Sequence, residues 1–264
     1  MNDAPPALPP ILADKHHESA SEFTPESLLR EARRQRRLAP CAVPAVCLLD
    51  PDGDIVRHLV ARGEARADPG WACYYTELHR FRRGGLELGL VGCAVGAPFA
   101  VLVAEQLFAC GCRVLLSMTS AGRLKAVRPP PYFVLIREAL RDEGTSYHYL
   151  PAARFSRLDP ALLERLDGAF DDLQVPVLTG ATWTTDAPYR ETAECIARRT
   201  AEGLLAVEME AAALYAFAEA RHRRVVCFAH VTNQMGQEGD FEKGEGDGVE
   251  DALAVVTAAA RRLL

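Results

Sequence analysis

The stretch LLAVEMEAAALYAFAEAR, residues 204–221, runs from a buried strand into a helix. Residues 204–208 are mostly apolar, as at the end of a strand inside a core. From Glu210 onward Ala and Leu are strong helix formers, and Leu214 and Phe217 recur at helical spacing. Glu208 and Glu210 therefore lie at the junction, where an ionised carboxylate needs hydrogen-bond donors. Those donors come either from the start of the helix, which favours negative charge, or from a ligand.

Outward from this junction, strands and helices alternate along the chain. Strands are predicted at 42–49, 85–96, 112–118, 175–183, 204–208 and 223–232, and helices at 23–38, 98–111, 160–170, from 210 and at 246–264. The segment 132–151 is regular but of either type, and TSAG (119–122) reads as a turn. The alternation predicts an α/β fold with a central, mostly buried sheet flanked by helices.

The chain is expected to form an N-terminal arm and helix at 1–40 and one catalytic domain at 41–264. The arm is polar and Pro-rich, and Thr24 is suited to cap the first helix. Ligands of such folds gather where strands end. In this sequence those ends are DPDGDIVR (50–57), SMTSAGR (117–123), TWTTDAPYR (182–190) and VTNQMG (231–236).

Composition narrows the classes of function. The net charge of −6 argues against a nucleic-acid binder. No apolar run reaches the about 18 residues of a membrane span, and the N-terminus lacks the pattern of a signal peptide, so a cytoplasmic protein is expected. The 8 cysteines include no CxxC pair, which predicts buried thiols and no metal site. The expected partners are a small molecule and further copies of the chain.

Five motifs together resemble the nucleoside phosphorylase family, which contains uridine phosphorylases, bacterial purine nucleoside phosphorylases and related nucleosidases. They are AVGAPFAVLVAEQL (94–107), SMTSAG (117–122), DEGTSYHYLP (142–151), TWTTDAPYRET (182–192) and AVEMEAAALYA (206–216). They occur in the family's order, and the resemblance covers roughly residues 42–264. It implies a nucleoside phosphorylase-like fold with a mixed sheet, and cleavage of an N-glycosidic bond through a cation-like ribosyl group.

The resemblance assigns the opening segment to the sugar. It implies that Glu210 accepts hydrogen bonds from the 2′ and 3′ hydroxyls of ribose and that Met209 packs on the sugar. A charged acceptor suits hydroxyl donors, and its negative charge favours the developing cation. Glu208 is expected to join the substrate-binding group by orienting the turn, and helix capping stays open for it.

The resemblance also implies a phosphate site. Family phosphorylases carry a turn like Gly-Asp-x-x-Arg after the first strand, which GDIVR matches through Gly53 and Arg57. Glycine lets the main chain approach an anion, and arginine donates a fork of hydrogen bonds. The second element is Ser120, whose hydroxyl is expected to hold phosphate. The arginine that precedes it in many relatives is Ser117 here, and TSAG is closer to the turn of the hydrolytic nucleosidases.

The base is expected to contact Trp183 and Asn233. Trp183 stacks on the base by resemblance, with burial in the core as the alternative. Asn233 stands where bacterial purine enzymes carry an acid, and its amide both donates and accepts hydrogen bonds. That favours a 6-oxopurine, although such an asparagine can also satisfy strand-end backbone groups. A histidine near the N-terminus, His16 or His17, is a candidate to reach a neighbouring subunit's site.

The sequence thus predicts an enzyme that cleaves a nucleoside with phosphate to the free base and ribose 1-phosphate. Inorganic phosphate is the co-substrate, and no cofactor is expected. Family resemblance implies a homo-oligomer, from dimer to hexamer. Two alternatives remain open. One is a hydrolytic nucleosidase that uses Asp50, Asp52 or Asp54 as general base. The other is a catalytically weak nucleoside-binding protein.

Overall fold

The computed structural model describes residues 8–234 and 248–264, with all side chains in those ranges except those of 232–234. Ten strands form within them: β1 (Val46–Asp50), β2 (Ala65–Ala67), β3 (His79–Arg83), β4 (Leu86–Gly92), β5 (Val114–Arg123), β6 (Tyr132–Asp142), β7 (Phe155–Arg157), β8 (Val177–Thr185), β9 (Ala206–Glu208) and β10 (Val225–Gln234).

Seven α-helices are found in the same ranges: α1 (Pro25–Arg36), α2 (Asp54–Ala61), α3 (Ala97–Ala109), α4 (Pro160–Arg165), α5 (Ala193–Ala201), α6 (Ala211–Ala220) and α7 (Val249–Leu263). Short 3-10 helices occupy Thr145–His148 and Pro188–Arg190. The predicted α/β class is confirmed.

All ten strands belong to one mixed sheet, in which β5 and β6 each pair with three other strands, and β7 pairs with β6 alone. The first half of β5 pairs in parallel with β1, most of its length pairs in parallel with β10, and its last two residues pair antiparallel with β9. The remaining pairings of β10 with β6, β6 with β8 and β8 with β9 close these five strands into a ring. From β5 the sheet continues through β1, β4, β3 and β2.

Helices cover the sheet in two groups. Helix α3 packs against α1 and α6, whereas α7 packs against α2 and α4. The sheet-facing positions are apolar, and one large core cluster runs through both groups. Leu29 and Ala32 of α1 are buried in that cluster, so the first helix is part of the core.

Several local features follow from the sequence. The Thr24 hydroxyl accepts a hydrogen bond from the Ser27 amide at 3.2 Å, which is the predicted N-cap of α1. The predicted turn at TSAG is wrong, because β5 runs through it to Arg123. Its backbone groups are satisfied by pairing with β10 and β9, and this outweighs a local composition that favours a turn.

The predicted burial of the cysteines holds for five of the eight, whereas Cys93 is exposed and Cys41 and Cys195 are half-buried. All eight cysteines are free thiols. Among the described helices none has the length and apolar character needed to cross a bilayer. Within residues 8–234 and 248–264 there is also no cluster of three His, Cys, Asp or Glu side chains able to bind a metal ion.

Candidate active site

The turn after β1 brings Gly53 and Arg57 together. Gly53 is left-handed, with φ of 77°, and a Cβ there would lie 2.6 Å from both Arg57 Nη1 and Cys93 Sγ. Only glycine fits this turn without strain. Arg57, in the first turns of α2, donates from Nη2 to the Asp52 carbonyl at 2.8 Å and to Asp54 Oδ1 at 2.7 Å. Its side chain is 61% exposed, so the guanidinium lies at the mouth of the turn.

Asp52 joins this turn to Ser120. Its Oδ2 accepts a hydrogen bond from the Ser120 amide at 2.7 Å, across the gap that opens where β5 leaves β1. Asp50 lies behind it, buried, and accepts from the Val56 amide at 2.9 Å. Asp52 thus links the three predicted phosphate residues. Gly53 follows Asp52 in the chain, the Asp52 carbonyl accepts from Arg57, and the Asp52 carboxylate accepts from the Ser120 amide. A small crevice beside these bonds is lined by Asp52, Asp54 and Ser120, among others.

Glu210 lies at the strand-to-helix junction predicted for it, immediately before α6. It is 1% exposed, and its Oε1 accepts from the Gly96 amide at 2.7 Å. Gly96 has φ of 90° at the start of α3, so its amide is presented by a backbone that favours glycine. The other oxygen, Oε2, is buried and has no hydrogen-bond partner among the described residues. A buried carboxylate oxygen in this state has capacity for a donor from a ligand.

Charge in this region is unusually costly. Burial raises the pKa of Glu210 to about 8, and the negative charge of Glu208 adds to the rise. The Gly96 amide and the Thr119 hydroxyl oppose it, since both stabilise the ionised form. Burial likewise raises the pKa of Asp50 to about 7, with the neighbouring Asp52 and Asp54 contributing. A positive charge or a hydroxyl donor that enters the site would therefore stabilise the ionised carboxylates of Glu210 and Asp50.

Glu208 is fully engaged by the protein. Its Oε2 accepts from the amides of Glu210 and Ala211, both at 2.7 Å, and its Oε1 accepts from the hydroxyls of Thr182 and Thr184. Burial raises its pKa, while these four donors act in the opposite direction. These contacts support both roles that the sequence left open for Glu208, orienting the turn and capping the start of α6. Each carboxylate oxygen of Glu208 thus already accepts two hydrogen bonds from the protein.

The structure does not bring Trp183 to this group. Successive residues of a strand point to opposite faces, so Trp183 points away from Thr182 and Thr184. It is 2% exposed in a small cluster with Leu140, Leu204 and Val207, and its indole N–H donates to Asp142 Oδ2 at 2.9 Å. These contacts support the alternative role in the core, and stacking on a base stays a prediction.

Three further predicted residues have less definite surroundings. Met209 is half-buried between the two glutamates. The backbone of Asn233 pairs with Gly122 beyond a register shift in β10, and its side chain lies outside the described residues. Ser117, at the position of the missing arginine, is buried on β5.

The N-terminal arm contacts its own chain. The His17 ring lies 3.2 Å from the Tyr147 carbonyl, and Lys15 Nζ lies 3.1 Å from His148 Nδ1. Reach into a neighbouring subunit by His16 or His17 stays a prediction.

Sequence reasoning missed two donors that shape the site. The Gly96 amide was visible only as part of the AVGAPF segment, and Thr119 only as part of TSAG. A glycine just before a proline-containing helix start is the signal that could have marked Gly96, because such amides lack partners within the helix.

The fold and this site define a class of protein: an α/β protein with buried carboxylates where the strands of its mixed sheet end. Comparison with known families shows which one: the chain belongs to the phosphorylase superfamily, whose family model matches residues 53–264. The predicted enzyme class, a pentosyltransferase of the nucleoside phosphorylase family, is thereby confirmed.

Two curated relatives carry names that specify substrates. A guanosine phosphorylase from Halorubrum lacusprofundi is 29% identical over 68% of this chain and 78% of its own length. A uridine phosphorylase from Thermococcus kodakarensis is 26% identical over 72% of this chain and 79% of its own.

Solved structures show the same fold. A uridine phosphorylase from Vibrio fischeri ES114, in complex with 6-hydroxy-1-naphthoic acid, superimposes with a TM-score of 0.65 at 20% identity. The match covers 87% of this chain and 91% of that one. A second structure of the Vibrio enzyme gives a TM-score of 0.63 at 20% identity, covering 87% of this chain and 92% of that one.

Proposed function

We propose that this protein cleaves the N-glycosidic bond of a 6-oxopurine nucleoside with inorganic phosphate, giving the free base and ribose 1-phosphate. The observation that carries the proposal is the buried Oε2 of Glu210, which has no partner among the described residues. Asp52, in the turn just before Gly53, is close enough for its charge to raise the pKa of Glu210. A polar pocket with one open acceptor suits a substrate that donates hydroxyl groups.

The roles follow from position and charge. Glu210 accepts from ribose hydroxyls through Oε2, and Met209 packs on the sugar. A phosphate oxygen forms the new bond to C1′ while the C1′–N bond breaks, and its electron pair leaves with the base, which takes up a proton. Arg57, Gly53 and Ser120 hold the phosphate. Ribose hydroxyls that donate to Oε2, and the positive charge that develops on the sugar, favour the ionised form of Glu210 over the neutral form that burial favours. The ionised form in turn stabilises the cation-like transition state.

The choice of base rests on sequence and on one relative. Asn233 is neutral and can both donate and accept, which suits N7 and O6 of a 6-oxopurine. The guanosine phosphorylase among the relatives acts, by its name, on such a nucleoside. The uridine phosphorylases make a pyrimidine the competing substrate.

Hydrolysis is the second candidate, because Asp52 supplies a feature that favours it. A carboxylate in the crevice, bonded to Ser120, is a general base within reach of a water molecule. Arg57 argues for phosphate instead, since it places a cation at the mouth of the same crevice.

The decisive experiment is base release, measured by liquid chromatography. Inosine, guanosine, adenosine, uridine and cytidine are incubated with the enzyme, with and without inorganic phosphate. We expect guanine and hypoxanthine to appear only with phosphate, together with ribose 1-phosphate. Glu210→Ala should abolish the release, because the sugar loses its acceptor. Release in phosphate-free buffer would show a hydrolase instead, and uracil alone would overturn the choice of base.

A further inference from the structure

Asp52 occupies the main-chain donor of Ser120, the residue whose hydroxyl is predicted to hold phosphate. The Ser120 amide already donates to Asp52 Oδ2 at 2.7 Å, a length typical of a hydrogen bond to an ionised acceptor. The amide carries one hydrogen, so it cannot serve two anions at full strength. An anion-binding amide at the proposed phosphate site is therefore occupied by the chain's own carboxylate.

The same residue also engages the cation of the site. Arg57 Nη2 donates to the Asp52 carbonyl at 2.8 Å and to Asp54 Oδ1 at 2.7 Å. One side of the guanidinium is therefore turned toward the protein. A phosphate dianion that entered the crevice would meet one arginine and the carboxylate of Asp52 together.

The geometry of the turn explains how Asp52 reaches this position. Gly53 turns the chain with a positive φ, and its amide donates to the Asp50 carbonyl at 2.9 Å. That tight turn holds Asp52 at its tip, where β1 has ended and β5 has separated from it. The carboxylate crosses the resulting gap to Ser120. The backbone of the turn therefore positions Asp52 opposite Ser120.

We infer that Asp52 determines the strength of phosphate binding: its carboxylate is an internal substitute for phosphate on the Ser120 amide, and phosphate must displace it to bind. The inference rests on the proposed phosphate site and adds a specificity-determining residue to it. In this scheme Asp52 competes with phosphate, so its removal strengthens phosphate binding.

The test is titration calorimetry with inorganic phosphate on the free enzyme. Asp52→Ala removes both the competing acceptor and its charge, so we expect the Kd for phosphate to fall at least about tenfold, equivalent to about 1.4 kcal/mol. Asp52→Asn keeps an acceptor without charge, so its Kd for phosphate should lie between those of the wild type and Asp52→Ala. The matched control is Asp172→Asn, an exposed carboxylate in the loop before β8, which should bind phosphate as the wild type does. Thermal melts confirm that each variant is folded.

The outcomes separate this inference from the proposed function. An unchanged or weaker affinity for phosphate in Asp52→Ala overturns the inference, as does a lack of measurable phosphate binding in every variant. Tighter phosphate binding without phosphate-dependent base release supports the inference and overturns phosphorolysis. Base release from phosphate-free buffer that disappears in Asp52→Asn identifies Asp52 as the base for water, which overturns both.

Discussion

The two glutamates that flank Met209 are both buried, yet their surroundings differ. Glu208 accepts four hydrogen bonds from the protein. Glu210 accepts one from the Gly96 amide at Oε1 and is further stabilised by the nearby Thr119 hydroxyl, while its Oε2 has no hydrogen-bond partner among the described residues. A buried carboxylate without enough donors costs stability when it is ionised. Such a residue is expected where binding, and not folding, has set its identity.

This difference predicts how stability depends on pH. Glu210 titrates near 4.5 in the unfolded chain and near 8 in the folded one. The folded state therefore binds the proton more tightly, and the free energy of unfolding falls as pH rises between those values. Glu210→Gln is neutral throughout and removes this loss. Urea unfolding at pH 5, 7 and 9 should show that the unfolding free energy of the variant, relative to the wild type, increases toward high pH by on the order of 2–4 kcal/mol. Parallel profiles would contradict it.

At the scale of elements, the start of α6 is tied to β8 by side chains. Thr184 donates to Glu208 and accepts from the Ala212 amide at 3.0 Å, so it serves one of the helix amides that have no partner within α6. Thr182, two residues earlier on the same face, adds a second donor to Glu208 at 3.1 Å. The position of Glu210 therefore depends on β8 as well as on its own helix.

Replacing Thr184 with Val tests that tie. The side chain keeps its shape but leaves the Ala212 amide and one Glu208 oxygen short of a partner, so we expect a loss of about 2–4 kcal/mol in unfolding free energy. Thr179→Val, an exposed position on the same strand, is the matched control and should change stability little. Equal effects in the two variants would show that the bonds to Glu208 do not stabilise the junction.

The elements also show what the sequence could and could not predict. The helix start at Thr24, the helices α3, α6 and α7, and the junction at Glu210 follow from local signals such as caps, apolar spacing and small residues. TSAG was misread because its partners β9 and β10 lie about a hundred residues further along the chain. Helices α2 and α5 were not predicted. The residues that open α2 were interpreted as part of a phosphate-binding turn, and α5 is a short helix with no buried residue to mark it.

The site divides in the same way. Glu210, Gly53, Arg57 and Ser120 were recognised as motif positions, whereas the bond from Ser120 to Asp52 depends on how far β5 separates from β1. No local pattern reports that distance. The same holds for Trp183, whose face on β8 is set by its hydrogen-bonded neighbours.

At the scale of the whole molecule, apolar surface remains on the single chain. Tyr189 is fully exposed, and Phe23 and Tyr75 are 71% and 62% exposed. Aromatic residues are enriched in protein–protein interfaces relative to the rest of the surface. Together with the family's expected assembly, they support a homo-oligomer.

Light scattering after size-exclusion chromatography checks the assembly. We expect a mass of at least twice the 28.8 kDa of one chain. Dilution should leave that mass unchanged across the concentrations used for assays, since interfaces rich in aromatic residues are stable. A mass of one chain at every concentration would contradict the expectation.

The ring of five strands through β5 has a kinetic consequence. Each strand in it is held on both sides, so the ring offers no free edge from which to peel one strand away. The donors and acceptors of the pocket come from distant points of the chain and meet only once the ring has closed, which makes folding slow but cooperative. Amide protons of β5 and β10 should therefore exchange with deuterium only through global opening, with one common opening free energy. On heating, enzymatic activity and the circular dichroism of the secondary structure should be lost at the same temperature.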